Sequence, residues 1–250
     1  MSTDTARAAL EALEPLLGAA PDLASRLPAG WTDAAARYVA LLLAANARVN
    51  LTRVVEPEAI ARDHLLDALA ALPLLDEARP LSVIDLGSGG GVPAIPLALA
   101  RPDIRWTLVD SVGKKAVLLR EFVEALALRN VEVVSARLEL VGRMPDRREQ
   151  HDLATARACA PLPVLAELAM PLLARGGRLV AWKGPLSPDD PEVRDGEAAL
   201  RLVGAGPLEI RPTGLAPLGQ RTLVVAFKLR PIPAAYPRRP GEPKRHPLPG

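Results

Sequence analysis

The first part of the chain places apolar residues on one face of successive helical turns. Apolar positions recur every three or four residues over 5–17, which predicts a helix with one buried face. A second helix is expected to begin at Thr32, a favourable N-cap residue, and a third near Pro57, because proline suits the first turn of a helix. We therefore expect residues 1–78 to form a helical region that packs on the rest of the chain.

From residue 81 onward, short apolar runs alternate with helical patterns. This alternation predicts parallel strands joined by right-handed crossovers, with both faces of the sheet covered. Two later runs, at 208–211 and 222–229, are separated by prolines and glycines without a helix, which predicts an antiparallel hairpin at the sheet edge. The α/β core is expected over 79–229. Its five predicted parallel strands are 81–86, 104–109, 131–134, 152–156 and 178–182, and the clearest helical patterns follow at 114–128 and 164–173.

Composition narrows the class of protein. Apolar residues make up 49% of the 250 residues and charged residues 24%, which is typical of a globular protein and excludes a disordered or fibrous chain. The apolar stretches are far shorter than the roughly 20 residues that span a bilayer, and the amino-terminal residues lack the apolar core of a secretory signal. The single cysteine, Cys159, excludes an internal disulfide and a cysteine-rich zinc site. These features predict a soluble cytoplasmic protein without a membrane segment or a bound metal.

Positive charge is concentrated at the carboxyl end. The formal net charge is +2, but residues 229–250 hold five cations and one acid, so this segment carries +4 and the rest of the chain −2. Seven of its 22 residues are proline, so its composition predicts an extended or disordered segment that buries no core. We treat 230–250 as a separate basic tail. Two interpretations stay open: a solubilising tail, and a basic arm that binds phosphate groups.

A glycine-rich turn at 83–94 (Val-Ile-Asp-Leu-Gly-Ser-Gly-Gly-Gly-Val-Pro-Ala) joins a predicted strand to a predicted helix. Glycines allow positive φ and leave no Cβ in the way of a ligand, and the start of the helix presents free N–H groups. Asp110 follows the next predicted strand, 23 residues after Gly87, where a carboxylate can accept both ribose hydroxyls of an adenosine. The pattern therefore predicts a site for a nucleotide-like cofactor.

Two cofactor classes use this arrangement. A dinucleotide site needs G-x-G-x-x-G/A, which the chain satisfies only in the late register Gly89, Gly91 and Ala94. An S-adenosylmethionine site prefers an acid just before G-x-G-x-G, and Asp85, Gly87, Gly89 and Gly91 have that spacing. The acid can attract the ammonium group of the cofactor, directly or through water. No G-K-[ST] follows, so a P-loop nucleotidase is not expected.

Several motifs resemble those of the RsmG (GidB) family of 16S ribosomal RNA guanine-N7 methyltransferases. They are the glycine turn from Asp85, Asn50-Leu-Thr, His64-Leu-Leu-Asp67, Asp110-Ser-Val-Gly-Lys-Lys, Arg157-Ala, Lys183-Gly, and the tail from Tyr236 to Leu248. The resemblance implies a Rossmann-like class I methyltransferase sheet, mostly parallel with an antiparallel edge strand, and an N-terminal helical extension. It also implies a monomeric enzyme that methylates one guanine, number 527 in the 530 loop, of 16S rRNA in the small ribosomal subunit.

The resemblance also implies site residues. Cofactor contacts are expected from Gly87, Val92, Asp110, Ser111, Val112, Ala136, Arg137 and Arg157. Gly90, Val92 and Arg137 depart from the usual family residues, and Arg137 replaces a common acid, so it is expected to contact adenine through its backbone. RNA is expected to bind the basic tail, with candidate contacts from Arg238, Arg239, Lys244 and Arg245.

The expected chemistry requires no general base, since guanine N7 carries an in-plane lone pair and no proton. The chain agrees by omission: 156–161 reads Ala-Arg-Ala-Cys-Ala-Pro, without the Asn/Asp-Pro-Pro-aromatic motif of amine methylases. Cys159 is expected to serve packing. The candidates for positioning the substrate are Arg157, Asn50, His64 and Lys183. The alternatives are an NAD-dependent oxidoreductase that uses the Gly89 register, and a non-catalytic RNA-binding module.

Overall fold

The computed structural model of the protein describes residues 2–249 and begins with a helical region. The helix expected over 5–17 is confirmed as α1. The segment after Pro57 is interrupted by a π-helical turn at Ala61–Leu66, so it is not one continuous α-helix. The bounds are α1 Ser2–Gly18, α2 Pro21–Ala24, α3 Trp31–Asn46, α4 Pro57–Ile60, α5 Asp67–Leu69 and α6 Leu72–Ala78.

The expected N-cap of the second long helix, Thr32, is wrong. Helix α3 begins at Trp31, and Gly30 occupies the N-cap position with a φ of 80°. Trp31 is buried, and its indole Nε1–H donates to the carbonyl oxygen of Pro96 over 3.1 Å. This buried anchor fixes where the helix starts, and it joins the helical region to the sheet domain.

The sheet has seven strands in the order β3-β2-β1-β4-β5-β7-β6. Strands β1 to β5 are parallel, and β7 is antiparallel to both β5 and β6. The predicted hairpin is therefore present at the sheet edge, with β6 outermost. The strands are β1 Ser82–Leu86, β2 Arg105–Asp110, β3 Val131–Ser135, β4 His151–Arg157, β5 Leu173–Lys183, β6 Ala205–Pro212 and β7 Thr222–Lys228.

Helices cover both faces of the sheet. Because side chains alternate along a strand, Val83 packs with the first core cluster and its neighbour Ile84 with the second. The first cluster includes α1 and α3 of the helical region, and the second includes two later helices, α10 at Leu162–Ala169 and α11 at Pro191–Leu202. The remaining helices are α7 Ala94–Ala100, α8 Gly113–Ala125, α9 Leu138–Val141, α10 Leu162–Ala169, α11 Pro191–Leu202 and α12 Glu242–Arg245, with a 3-10 turn at Ala216–Leu218.

Two elements differ from the expectation. The helix expected over 164–173 ends at Ala169, and Leu173 instead begins β5. Helix α11, at Pro191–Leu202, was not predicted; it begins where the Asp190 carboxylate accepts the Glu192 N–H over 2.9 Å. None of the helices within residues 2–249 has the length and apolar character needed to cross a bilayer.

The carboxyl-terminal tail packs on the sheet domain, so the expectation that it buries no core is wrong. Ile232 and Leu248 are buried in the second core cluster. The Arg143 guanidinium donates to the carbonyl oxygen of Ala235 over 3.0 Å, and the Arg148 guanidinium donates to that of Tyr236 over 2.8 Å. Arginines of the core therefore satisfy tail carbonyls that a proline-rich backbone cannot pair with its own few N–H groups.

Candidate functional site

The glycine turn lies at the carboxyl end of β1, beside the ends of β2 and β4. Gly87 and Gly89 have φ values of +70° and +58°, which L side chains rarely adopt. A Cβ on Gly87 would lie 3.1 Å from the Cys159 sulfur. The turn therefore needs glycine for its backbone conformation and, at Gly87, for its close approach to the loop after β4.

Tyr38 of α3 fixes the turn from outside the sheet. Its hydroxyl donates to the carbonyl oxygen of Gly90 over 2.8 Å. Burial raises the pKa of Tyr38 above its usual value, so the hydroxyl stays protonated and remains a donor. The helical region thus helps to shape the predicted cofactor turn.

Asp110 links the turn to the loop after β2. Its Oδ2 atom accepts the Gly89 N–H over 2.9 Å, and its Oδ1 atom accepts the Val112 N–H over 2.7 Å. The side chain is almost buried, with 6% of its surface exposed. A carboxylate oxygen has two lone pairs, so each oxygen keeps capacity for a further donor such as a sugar hydroxyl. This geometry suits the predicted ribose contact, which stays a prediction.

Asp85 lies beneath the turn with one oxygen unpartnered. Its Oδ1 atom accepts the Thr155 hydroxyl over 2.6 Å, whereas Oδ2 is buried with no hydrogen-bond partner among residues 2–249. Burial raises the pKa of Asp85 to about 6, a rise limited by the Thr155 hydrogen bond. A buried carboxylate without a partner attracts a cationic group, so the site fits a ligand with an ammonium group near the turn.

A cavity of about 190 Å³ opens between the turn and the helical region. It brings together five of the predicted site residues: Gly87, Gly89, Val92, His64 and Arg157. Its wall also includes Leu42, Leu51, Thr52, Ser88, Gly90, Lys115 and Ala158.

Arg157, at the end of β4, is held by three groups of the helical region. Nη1 donates to the Asp63 carbonyl oxygen and, over 2.6 Å, to Asp67 Oδ2, and Nη2 lies 3.1 Å from His64 Nδ1. Asp67 is fully buried, and its Oδ1 atom lies 2.8 Å from the Arg221 Nε atom. Burial raises the pKa of the Asp67 carboxyl, and the two guanidinium groups limit that rise. One buried acid therefore holds two arginines, of which Arg157 lines the cavity.

The hydrogen-bond network assigns His64 as a neutral imidazole. The His64 Nδ1 atom lies 3.1 Å from Arg157 Nη2 and 3.2 Å from the Asp63 carbonyl oxygen. Because a guanidinium can only donate, we assign the proton to Nε2, which lies 2.9 Å from the Thr52 hydroxyl. Burial and the charge of Arg157 lower the pKa of His64 to about 4. Thr52 is itself held in place because the Asn46 Oδ1 atom accepts the Leu51 and Thr52 N–H groups, over 2.8 and 2.9 Å.

Other predicted residues lie outside the cavity wall. Asn50 is exposed. The Lys183 ammonium donates to the Ala160 carbonyl oxygen over 3.1 Å and to Glu192 over 2.6 Å, so it ties the loop after β4 to α11. Ser111 and Val112 are exposed in the loop after β2. Their roles in binding stay predictions.

The loop after β3, which was expected to contact adenine through Ala136 and Arg137, lies against the tail. Ala136 is half-buried and the Arg137 side chain is 51% exposed, with its Nε atom 3.7 Å from Glu139. The other Glu139 oxygen accepts the Gly241 N–H over 2.6 Å. The loop expected to contact adenine is therefore fastened to the basic tail.

The four tail cations predicted to contact RNA have different environments. The Arg238 guanidinium donates to both oxygens of the fully buried Glu167, over 2.6 to 3.0 Å, and to the His246 carbonyl oxygen. Arg239, Lys244 and Arg245 are exposed. The first of these four cations therefore holds the tail on the core, and the other three face solvent.

Sequence reasoning missed Arg221 and gave Asp67 no role of its own. Arg221 directly precedes β7, far along the chain from Arg157, so no local spacing relates them. The signal that was available is the His64-Leu-Leu-Asp67 motif, since two polar residues three apart share a helical face.

The sheet order, the glycine turn after β1 and the acid at the end of β2 define a class I S-adenosylmethionine-dependent methyltransferase fold. Two solved structures share this fold. The S-adenosylmethionine-dependent methyltransferase SibL has a TM-score of 0.55 and 20% identity, and the match covers 79% of this chain and 70% of that one. Cofactor-bound Rv0187 from MTB has a TM-score of 0.53 and 20% identity, and the match covers 77% of this chain and 89% of that one.

Sequence comparison identifies the family. The GidB model, described as rRNA small subunit methyltransferase G, matches residues 32–210, and the chain belongs to this family. Ribosomal RNA small subunit methyltransferase G of Roseiflexus sp. (strain RS-1) is 43% identical over 236 residues, covering 94% of this chain and all of that protein. The protein of the same name from Deinococcus deserti is 43% identical over 239 residues, covering 95% and 97%. The family expected from the motifs is confirmed.

Proposed function

We propose that the protein transfers a methyl group from S-adenosylmethionine to N7 of one guanine in 16S rRNA, the guanine numbered 527 in the 530 loop. One observation carries the proposal: the glycine turn bonded to Asp110 and the Asp67-bound Arg157 face each other across one cavity. The first suits an adenosyl cofactor, and the second suits an anionic or oxygen-rich substrate.

The cofactor supplies the methyl group when it is bound. Asp110 would accept the ribose hydroxyls, and the unpartnered Asp85 oxygen would attract the ammonium end. Ser111 and Val112 would lie along the sugar and base. Ala136 and Arg137, in the loop after β3, would contact the adenine. The hydrogen bond from the Gly241 N–H to Glu139 holds the tail close to this loop.

The dinucleotide alternative fits this turn less well. Strand β1 ends at Leu86 and the first turn glycine is Gly87, two residues before the register that a dinucleotide would require. The nearby buried groups are the carboxylates of Asp85 and Asp110. These would repel a pyrophosphate and attract an ammonium group, so the charge at the turn favours S-adenosylmethionine.

Guanine N7 needs orientation and no base, and positioning alone contributes about 7–11 kcal/mol of barrier lowering. Three of the five N–H groups of Arg157 are directed to Asp63, Asp67 and His64. Within the described chain, this leaves Nε–H and one N–H of Nη2 for the guanine O6 edge or a phosphate. His64 is neutral and bonded at both nitrogens, so its part is to orient Arg157.

Arg239, Lys244 and Arg245 are the exposed tail cations that would contact RNA phosphates. If they do, affinity for single-stranded RNA falls with salt at a log–log slope of about 0.7 for each phosphate engaged. Direct contact with RNA is less well supported for three other candidates. Asn50 lies outside the cavity wall, and the side chains of Lys183 and Arg238 are already hydrogen-bonded to Glu192 and Glu167. We propose that the enzyme acts as a monomer, to be tested by its mass in solution.

The test is transfer of labelled methyl to 16S rRNA from a strain that lacks the gene, offered as free RNA and as assembled small subunits. The expected result is label at N7 of one guanine in the 530 loop. Arg157→Lys should lower transfer about tenfold or more, because lysine lacks the planar fork. The matched control is Arg178→Lys, which alters an arginine bonded to Glu77 away from the cavity.

Calorimetry distinguishes the alternatives. S-adenosylhomocysteine should bind, and NADH should not. Binding of NADH without S-adenosylhomocysteine would support an oxidoreductase. Cofactor binding without label in any RNA would support a non-catalytic RNA-binding module, and both results contradict the proposal.

A further inference from the structure

A second polar cavity lies at the amino-terminal ends of the parallel strands, whereas the glycine turn lies at their carboxyl ends. Its volume is about 480 Å³. It is lined by the first residue of each of four neighbouring strands: Ser82, Arg105, Val131 and His151. The glycine turn, Asp110 and Arg157 all lie at the other ends of these strands, so this cavity is separate from the proposed methyl-transfer site.

His151 in the cavity wall lacks hydrogen-bond partners. The residue is 5% exposed, and both ring nitrogens are buried without a partner in the chain from residue 2 to 249. A neutral imidazole has one donor and one acceptor, and leaving such groups buried and unpaired is costly. His151 therefore brings unused hydrogen-bonding capacity to the wall of this cavity.

Two of the three arginines in the cavity wall have no acidic partner among the described residues. Arg105 and Arg129 are exposed in the cavity wall, and neither makes an ion pair or side-chain hydrogen bond within the described residues. Arg147 is bonded to Glu132 through both Nη atoms. Asp146 also lies beside Arg147, with 3.3 Å between its Oδ2 atom and Nε.

The remaining nearby acid is also engaged. The Asp152 Oδ2 atom accepts the Leu81 and Ser82 N–H groups, over 2.8 and 2.9 Å, and the Ser82 hydroxyl over 3.1 Å. The cavity thus presents two unpaired guanidinium groups and a buried imidazole to a ligand. This combination of donors suits an oxyanion with several acceptor oxygens.

We propose that this cavity binds a phosphate group, with Arg105 and Arg129 at its rim and His151 in its wall. The phosphate is supplied either by a free mononucleotide or by the RNA backbone, and the two sources share this chemistry. The inference does not depend on the methyl-transfer proposal, because it uses none of the same residues.

Ligand binding should change the titration of His151. Burial, Arg147 and Arg105 lower its pKa to about 4, and Glu132 and Asp152 oppose that shift. Arg129 and Asp146 also lie in the cavity wall. A bound phosphate adds negative charge beside the ring and so raises its pKa.

The test is a titration with inorganic phosphate followed by the NMR signals of the imidazole rings. The chain has three histidines, at 64, 151 and 246, so the signals can be assigned by substitution. A saturable shift of the His151 signal and a rise in its pKa are expected, without a matching change at His64.

Two exposed arginines supply the variants, so folding is preserved. Arg105→Ala and Arg129→Ala should each weaken phosphate binding about tenfold, the effect of losing one charge-assisted hydrogen bond. The control is Arg194→Ala, which removes an exposed arginine of α11. An unchanged His151 signal, or an equal affinity in the Arg105→Ala/Arg129→Ala variant, would overturn the proposal.

Two further titrations identify the source of the phosphate. One uses a 5′-mononucleotide, and the other uses a short single-stranded RNA without a terminal phosphate, at equal phosphate concentration. A shift of His151 that the double substitution abolishes supports the site, and the ligand that produces it names the source. If neither ligand shifts His151, the cavity is not a phosphate site.

Discussion

The guanidinium of Arg157 donates through Nη1 to the buried Oδ2 atom of Asp67 over 2.6 Å, which joins the end of β4 to α5. The other oxygen of Asp67 lies 2.8 Å from Arg221, at the start of β7. A single carboxylate therefore sets the positions of cations from two strands. Its loss should affect both folding and the predicted substrate contacts.

Asp67→Ala should lower the free energy of unfolding by about 1.5–3 kcal/mol, because two half-buried arginines lose their charged hydrogen-bond acceptor. Urea denaturation measures the change. The matched control is Glu77→Ala, since Glu77 also binds two arginines, Arg178 and Arg211, but its side chain is 47% exposed. The control should cost less than about 1 kcal/mol. Equal losses in the two variants would contradict the role given to burial.

Asp110→Asn should weaken binding of S-adenosylhomocysteine about 10- to 100-fold. The amide loses the charge that strengthens bonds to ribose hydroxyls, and its NH₂ group opposes the Gly89 or Val112 N–H. Isothermal calorimetry measures the affinity. Asp103→Asn, an acid bonded to Arg101 outside the site, should leave the affinity unchanged. Full affinity in the Asp110 variant would remove this residue from the site.

Cofactor affinity should depend on pH through Asp85. Its pKa is about 6, so the carboxylate is ionised at pH 7.5 and becomes protonated as the pH falls through 6. Only the ionised form attracts an ammonium group, so affinity should fall by up to about tenfold per pH unit below 6. Calorimetry at several pH values measures this, and Asp85→Asn should flatten the profile. A slope that persists in that variant would assign the titration to another group.

Substitution of Arg238 by alanine should affect stability, whereas substitution of Arg239 should affect RNA binding. Arg238→Ala leaves the fully buried Glu167 with the backbone N–H of residue 238 but without its charged partner, and should destabilise the fold by about 3–5 kcal/mol. Arg239→Ala, at an exposed position, should leave stability unchanged and reduce the salt dependence of RNA binding. Thermal unfolding and RNA affinity at two salt concentrations measure these effects. A stable Arg238→Ala variant would show that the tail is held by other contacts.

Much of the sheet was predictable, because strands buried on both faces appear as short apolar runs. Strands β1 to β4 begin and end within a residue of the predicted runs. The same continuous apolar character explains why the helix predicted over 164–173 was extended too far. A buried apolar helix is followed here by a buried strand, so the hydrophobic pattern does not mark where one ends and the other begins.

The site was predictable only for residues at the carboxyl ends of neighbouring parallel strands, because those ends lie side by side. The glycine turn and Asp110 satisfy that condition, and the structure bonds them to each other. The partners of Arg157 come from the helical region, and Asp67 also binds Arg221, which precedes β7. No sequence spacing reports such long-range pairs. The tail was misjudged because composition counts prolines but does not show the core arginines that bind its carbonyls.

The bond from Tyr38 to Gly90 has a consequence for engineering. The shape of the cofactor turn is set in part by a helix that precedes the whole sheet in the chain. A minimal catalytic domain cut at residue 79 would lack this support and bind cofactor poorly. A chimera that takes its sheet from a relative must also take the matching tyrosine-bearing helix, so the two parts are inherited as one unit.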